Sequence, residues 1–148
     1  MTLSEWAAQH PDEVLVDEVA DAAVRSLVAV VARELADAES VRSDDGRLEH
    51  AFAACIAAAR AALAASGYRL RTTAHHYRAI ESLEFTLSVG SQEVHLLQSY
   101  RRMRARAMYD QVGAASREDA QAALASARAV AERLTAWLES ESDSSSAQ

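Results

Sequence analysis

Alanine fills 34 of the 148 positions, against four glycines and one proline. No other feature limits the backbone so strongly. Alanine is the best helix former and a poor strand former, and a β-rich chain would need more turn residues than this one has. Half of the residues are hydrophobic but only 5% are aromatic, so the buried side chains are small and helices can approach closely. The expected fold class is all-α, an antiparallel bundle of four to five helices. The length suits one domain with a real core, placed at residues 1–139. Residues 140–148 are serine, acid and little else, and this composition predicts a disordered tail.

Hydrophobic spacing places the elements. Leu3 to His10 could form a short helix before Pro11. Val16, Val19, Ala23, Leu27, Val31 and Leu35 recur at helical intervals, which predicts helix A over about 13–40. Ser43-Asp44-Asp45-Gly46 reads as a loop with capping side chains. Helix B follows over about 45–66, with Leu48, Phe52, Cys55, Ile56, Ala59 and Leu63 in one stripe. Gly67 is a natural stop, and Tyr68 to Arg71 reads as a linker or an early turn. Helix C is expected over about 72–88, helix D over about 92–112, and helix E from Ser116 to about 139. Helix E opens with Ser116-Arg117-Glu118-Asp119, a capping box with Asp in place of Glu.

The formal net charge is −7, and all fifteen basic residues are arginine. The charge is uneven. Residues 1–49 hold twelve acids and four arginines, residues 50–110 four acids and eight arginines, and residues 111–148 six acids and three arginines. An anionic partner would therefore meet the middle of the chain. The acidic ends could shield that region or meet the basic face of another subunit. Cys55 is the one cysteine, so no intrachain disulfide forms and a reducing cytoplasm is the simplest setting. The start lacks a positive segment followed by an apolar run, so no signal peptide is expected. No stretch approaches the roughly 18 apolar residues that span a bilayer, so no membrane partner is expected.

Residues 101–110 read Arg-Arg-Met-Arg-Ala-Arg-Ala-Met-Tyr-Asp. With Leu96 as the reference on helix D, Tyr100, Met103 and Ala107 fall on the same face, taken as the core face. Arg101, Arg102 and Tyr109 then lie about 120–140° away, and Arg104 and Arg106 lie on opposite shoulders near 80°. Glu93 and Asp110 are the only acids nearby. Guanidinium groups repel one another unless partners are supplied. A solvated face, a subunit contact with acidic helix A, and a phosphate-bearing ligand all remain open. Arg101, Arg102, Arg106 and Arg78 are the candidate phosphate contacts.

The order of segments carries a resemblance. The alanine-rich helix with Phe52 ends at Gly67-Tyr68-Arg69. Then come His75-His76-Tyr77-Arg78-Ala79-Ile80-Glu81-Ser82-Leu83, the segment from Tyr100 to Asp110, and an amphipathic helix ending near Trp137. Over about 45–139 this resembles small bacterial members of the HEPN superfamily of helical nucleotide-binding domains. The resemblance implies an all-α bundle, usually a homodimer, and an activity as a metal-independent endoribonuclease toxin or defence component. It also implies RNA or a nucleotide as ligand, and a possible partner protein such as a nucleotidyltransferase-like antitoxin. The family motif is an arginine, often a following polar residue, then a histidine after a gap. Arg104 takes the arginine place, Ala105 the polar place and Tyr109 the histidine place. Two of these positions depart from the active pattern. Histidine shuttles a proton near neutral pH, whereas an ordinary tyrosine titrates near about 10.

The candidate catalytic set is therefore Arg104, Tyr109 and a base from helix C. His75 is the more exposed choice there, because His76 shares the Ile80 stripe and is expected at the core boundary. No metal or cofactor is expected: the adjacent histidines lack i, i+4 spacing and no Glu-x-x-His occurs. Nor is there a glycine-rich phosphate loop, a serine–histidine–acid pattern or a helix-turn-helix signature. Two functions stay open, an RNA- or nucleotide-binding protein with or without cleavage, and a non-catalytic module that holds a partner protein.

Overall fold

The computed structural model describes residues 1–72, 75–109 and 111–146. Six helices and one small antiparallel strand pair follow in the order α1 (Leu3–Ala8), β1 (Val14–Val16), α2 (Asp21–Ser40), α3 (Asp44–Ala65), β2 (Tyr68–Leu70), α4 (His76–Thr86), α5 (Ser91–Tyr109) and α6 (Arg117–Ser146). The helices pack together around α3. Its buried residues include Leu48, Phe52, Cys55, Leu63 and eight alanines. Alanine lets neighbouring backbones come close, which is why one helix can be enclosed by four others without large side chains. The length and hydropathy of α3 would suffice to cross a bilayer, which the sequence expectation did not allow for. Most of its apolar window, 72%, is buried inside the fold, as in a core helix.

The N-terminal segment departs most from expectation. Helix A was expected to start near residue 13, but α2 begins at Asp21. Val14, Leu15 and Val16 instead pair with Leu70, Arg69 and Tyr68. The pairing is extended by Asp17 N–H to the Gly67 carbonyl (2.9 Å) and Arg71 N–H to the Glu13 carbonyl (2.8 Å). β-Branched residues fit a strand when an edge is available. The chain after Gly67 (φ +89°) supplies one, so residues 68–70 are a strand and not a linker. A Thr2–Glu5 capping box starts α1. Trp6, 2% exposed, docks α1 on α4: its indole N–H donates to Glu81 Oε1 (2.7 Å) and its ring stacks on Phe85 at 5.9 Å.

The remaining joints follow local chemistry. Ser43 accepts from Gly46 N–H (3.0 Å) at the start of α3. Arg133 of α6 donates to the carbonyls of Leu87 and Ser88 (3.2 and 2.9 Å), holding the turn between α4 and α5. Asp45 accepts from the amides of Gly113 (2.6 Å) and Ala115 (3.0 Å), tying the loop before α6 to the top of α3. The expected Ser116–Asp119 capping box is present. Residues 140–146, expected to be disordered, continue α6 to Ser146. A helix already anchored by Leu124, Val130 and Leu134 propagates at one hydrogen bond per added residue, so polar composition alone does not end it.

Candidate functional site

The orientation of α5 decides the site. Leu96, taken above as the inward reference, is 45% exposed. The buried side chains are Val94, Leu97, Gln98 and Tyr100. With Leu97 as reference, Arg104 lies about 20° and Arg101 about 40° away, whereas Arg102 and Arg106 lie about 140° and 180° away. The expected arrangement is therefore corrected. Arg101 belongs to the inner half rather than the outer face, Arg104 points inward rather than to a shoulder, and Arg106 points straight out. The physical reason is that Leu97 and Tyr100 are buried in the core, whereas Leu96 stands 45% exposed beside an open groove that Ala125, Ala129 and Arg133 of α6 also line.

Arg104 reaches a cleft of about 140 Å³ lined by Glu34 of α2, Phe52, Ile56 and Arg60 of α3, and His76 of α4. The Arg104 guanidinium carbon stands 5.6 Å from the Phe52 ring centre, and the His76 ring meets the same ring edge-on at 5.6 Å. Among the described residues Arg104 has one ion pair, with Glu49 at 3.8 Å from Nη2. Glu34 faces the other side of the cleft, paired with His50 Nδ1 at 2.7 Å and with Arg33 at 3.1 Å. Burial pushes the Glu34 carboxyl up, but the hydrogen bonds and charges of His50 and Arg33 outweigh it and hold the group below the usual carboxylate range. Glu34 is thus ionised at neutral pH. Two guanidinium groups, an imidazole and a carboxylate converge from four helices on a space that suits one phosphate or one nucleobase.

The other expected site residues lie elsewhere. His75 turns to Glu13 (3.6 Å). Arg78 donates to Glu13 Oε1 (3.1 Å) and Glu81 Oε1 (2.8 Å). Burial would lower the affinity of Arg78 for its proton, but these two carboxylates more than offset it. Trp6 and His10 (3.7 Å) complete the set around Glu81, so Arg78 and His75 serve the joint between α1, β1 and α4. Arg78 and Arg101 both approach the half-exposed Tyr77 ring, at 5.3 and 5.5 Å, and Arg101 also donates to Gln98 (3.0 Å). Tyr109 is 76% exposed at the end of α5. It stands about 7.5 Å along the axis from Arg104 and about 140° around it, so one chain does not bring Arg104, Tyr109 and His75 together.

The outer face of α5 is the second element. Arg102 and Arg106 are exposed and have no ion-pair partner among the described residues; Asp110 lies outside them. They are four positions apart and share one side of the helix.

Sequence reasoning missed Arg60, His76 and Glu34 as neighbours of Arg104 in the cleft. Only the packing of α2, α3 and α4 shows that, although the assignment of His76 to the core boundary pointed the right way. It also missed a group able to hold a metal ion: Glu34, Asp37 and His50, whose ligand atoms all lie within 4.8 Å of one another. No sequence signature joins them, because the histidine comes from the next helix.

Fold and site together define a mostly helical bundle with an arginine-lined cleft beneath a basic helix face. Scans against protein-family models, curated proteins and solved structures return no match to this chain.

Proposed function

We propose that this protein is a HEPN-like helical domain that binds RNA through α5. The observation that carries this reading is the poverty of carboxylates around that helix. Its four arginines meet one carboxylate among the described residues, Glu49, and that at 3.8 Å. Five of the eleven arginines outside α5, Arg33, Arg47, Arg69, Arg78 and Arg128, have an acid within 3.4 Å; what sets α5 apart is that its four arginines fall within six positions of one helix. Like charges held together without counter-charges raise the energy of the free protein, and a polyanion relieves that. Arg102 and Arg106 track the backbone from outside. Tyr77, with Arg101 beside it, offers a face for a splayed base. Arg104 and Arg60 draw one phosphate towards the cleft. Where cleavage follows, the imidazole next to Arg104 is His76, which takes the proton-transfer role expected of His75 and Tyr109.

The test is fluorescence anisotropy with labelled single-stranded RNA over a salt series. Each phosphate contact contributes about 0.7 to the slope of log affinity against log salt for single strands. Replacing Arg102 and Arg106 together by glutamine should lower that slope by about 1.4. Absence of affinity at low salt, or a slope that the double substitution leaves untouched, refutes RNA binding by α5 and favours a protein partner for this face.

A further inference from the structure

We propose that Glu34, Asp37 and His50 form a binding site for a divalent transition-metal ion of the zinc class, at the edge of the cleft. Glu34 and Asp37 stand three residues apart on α2, so their side chains share one face. His50 stands in the second turn of α3, the helix against which α2 packs most extensively. The three ligand atoms lie within 4.8 Å of one another, and His50 Nδ1 and Glu34 Oε2 are already 2.7 Å apart. An ion with bonds of about 2.0–2.1 Å in tetrahedral geometry needs its donors about 3.3 Å apart. The donors thus lie within 4.8 Å of one another, so small side-chain adjustments would bring them to that spacing.

Three further facts favour a cation here. Two carboxylates this close, one of them partly buried, repel each other. The Asp37 carboxylate has no hydrogen-bond or ion-pair partner among the described residues, so it is available to a cation. The nearest competing charge is Arg33, whose side chain is 63% exposed and free to swing away. The donor set also selects the ion. One imidazole nitrogen with two carboxylate oxygens suits zinc or manganese, whereas calcium and magnesium want more oxygens. Three protein ligands leave a position open for water or a substrate oxygen. One ligand, Glu34, also lines the cleft with Arg60, His76 and Arg104, so the ion would sit beside groups suited to a phosphate. The site stands whether or not RNA is the ligand, and it departs from the metal-independent chemistry that the family resemblance implies.

The experiment uses the full chain freed of metal by a chelator. Zinc is titrated calorimetrically, and cobalt is used as a spectroscopic probe of imidazole ligation. The expected result is one ion per chain and a rise in the unfolding midpoint on adding zinc. Asp37→Asn and His50→Gln should each weaken binding at least about tenfold, and His50→Gln should change the cobalt spectrum. Asp37→Asn is the cleaner variant, because that carboxylate makes no other contact; circular dichroism checks that both variants fold. If His50→Gln does not fold, Asp37→Asn alone decides. Absence of binding at about 100 μM zinc, a dissociation constant too weak to matter, overturns the proposal. So does an affinity unchanged in Asp37→Asn, since the ion then binds elsewhere, as at His10 or His95.

Discussion

Replacing Arg104 by methionine separates a functional arginine from a structural one. The pair with Glu49 spans 3.8 Å, with the two side chains 21% and 42% exposed. At that distance and an effective dielectric constant of about 20, the Coulomb attraction is roughly 4 kcal/mol. Most of it is offset by the water that the guanidinium gives up, and partly exposed pairs contribute a net of about 0–1 kcal/mol. The approach to the Phe52 ring adds about 0.5–1 kcal/mol. Methionine keeps the stem, fills the same space and regains part of this through sulfur–aromatic contact, worth about 0.3–1.5 kcal/mol. The net change in stability should stay within about 1 kcal/mol, or about 3 °C in the unfolding midpoint for a chain of this length. RNA affinity should fall much more. One charge-assisted contact to phosphate is worth about 1.5–3 kcal/mol, which is about a tenfold to hundredfold loss. Thermal unfolding followed by circular dichroism and anisotropy on the same sample give both numbers. A midpoint lowered by more than about 9 °C, with affinity retained, would mean that Arg104 holds α5 to α3 and does nothing else.

Three further outcomes follow from the packing and the titrating groups. Trp6→Ala removes a 2% exposed ring, its stack on Phe85 and its bond to Glu81; it should cost about 3–5 kcal/mol, read as a midpoint lowered by about 9–15 °C, and a loss below about 1 kcal/mol would show that α1 is not anchored. Glu34 is held below its ordinary value of 4.5, so its ionised form stabilises the fold above that pH, and the contribution disappears as pH falls through the lower folded value. The stability gap between the natural chain and Glu34→Gln should therefore be constant near neutrality and narrow in acid; a gap that persists at about pH 3 contradicts the assignment. Burial pushes the Cys55 thiol up to about 12, so a disulfide reagent at about pH 8 should label the native protein only as fast as it opens, and immediate labelling would place the thiol at the surface.

Much of the fold was legible along the chain because its signals are local. Ser43, Gly67 and the Ser116–Asp119 box act within a turn of their own positions, and each ends or starts a helix where the spacing places it. The cleft was not legible for the opposite reason. Helix D carries two apolar lines, Leu96–Tyr100–Met103 and Val94–Leu97–Tyr100, and periodicity cannot choose between them. The choice belongs to the neighbours that cover one line. Once Leu97 faces inward, Arg104 turns to Phe52, and the histidine beside it is His76 rather than His75.

The sequence by itself determined that this chain is helical, where most helices lie, and that its positive charge gathers late in an acidic molecule. Alanine content, capping residues and arginine spacing are properties of neighbouring residues. Only the tertiary structure decided that residues 14–16 leave the expected helix to pair with 68–70, and that Glu34, Arg60, His76 and Arg104 meet. Those outcomes depend on groups from separate helices burying surface against one another, and no stretch of sequence contains both sides of such a contact.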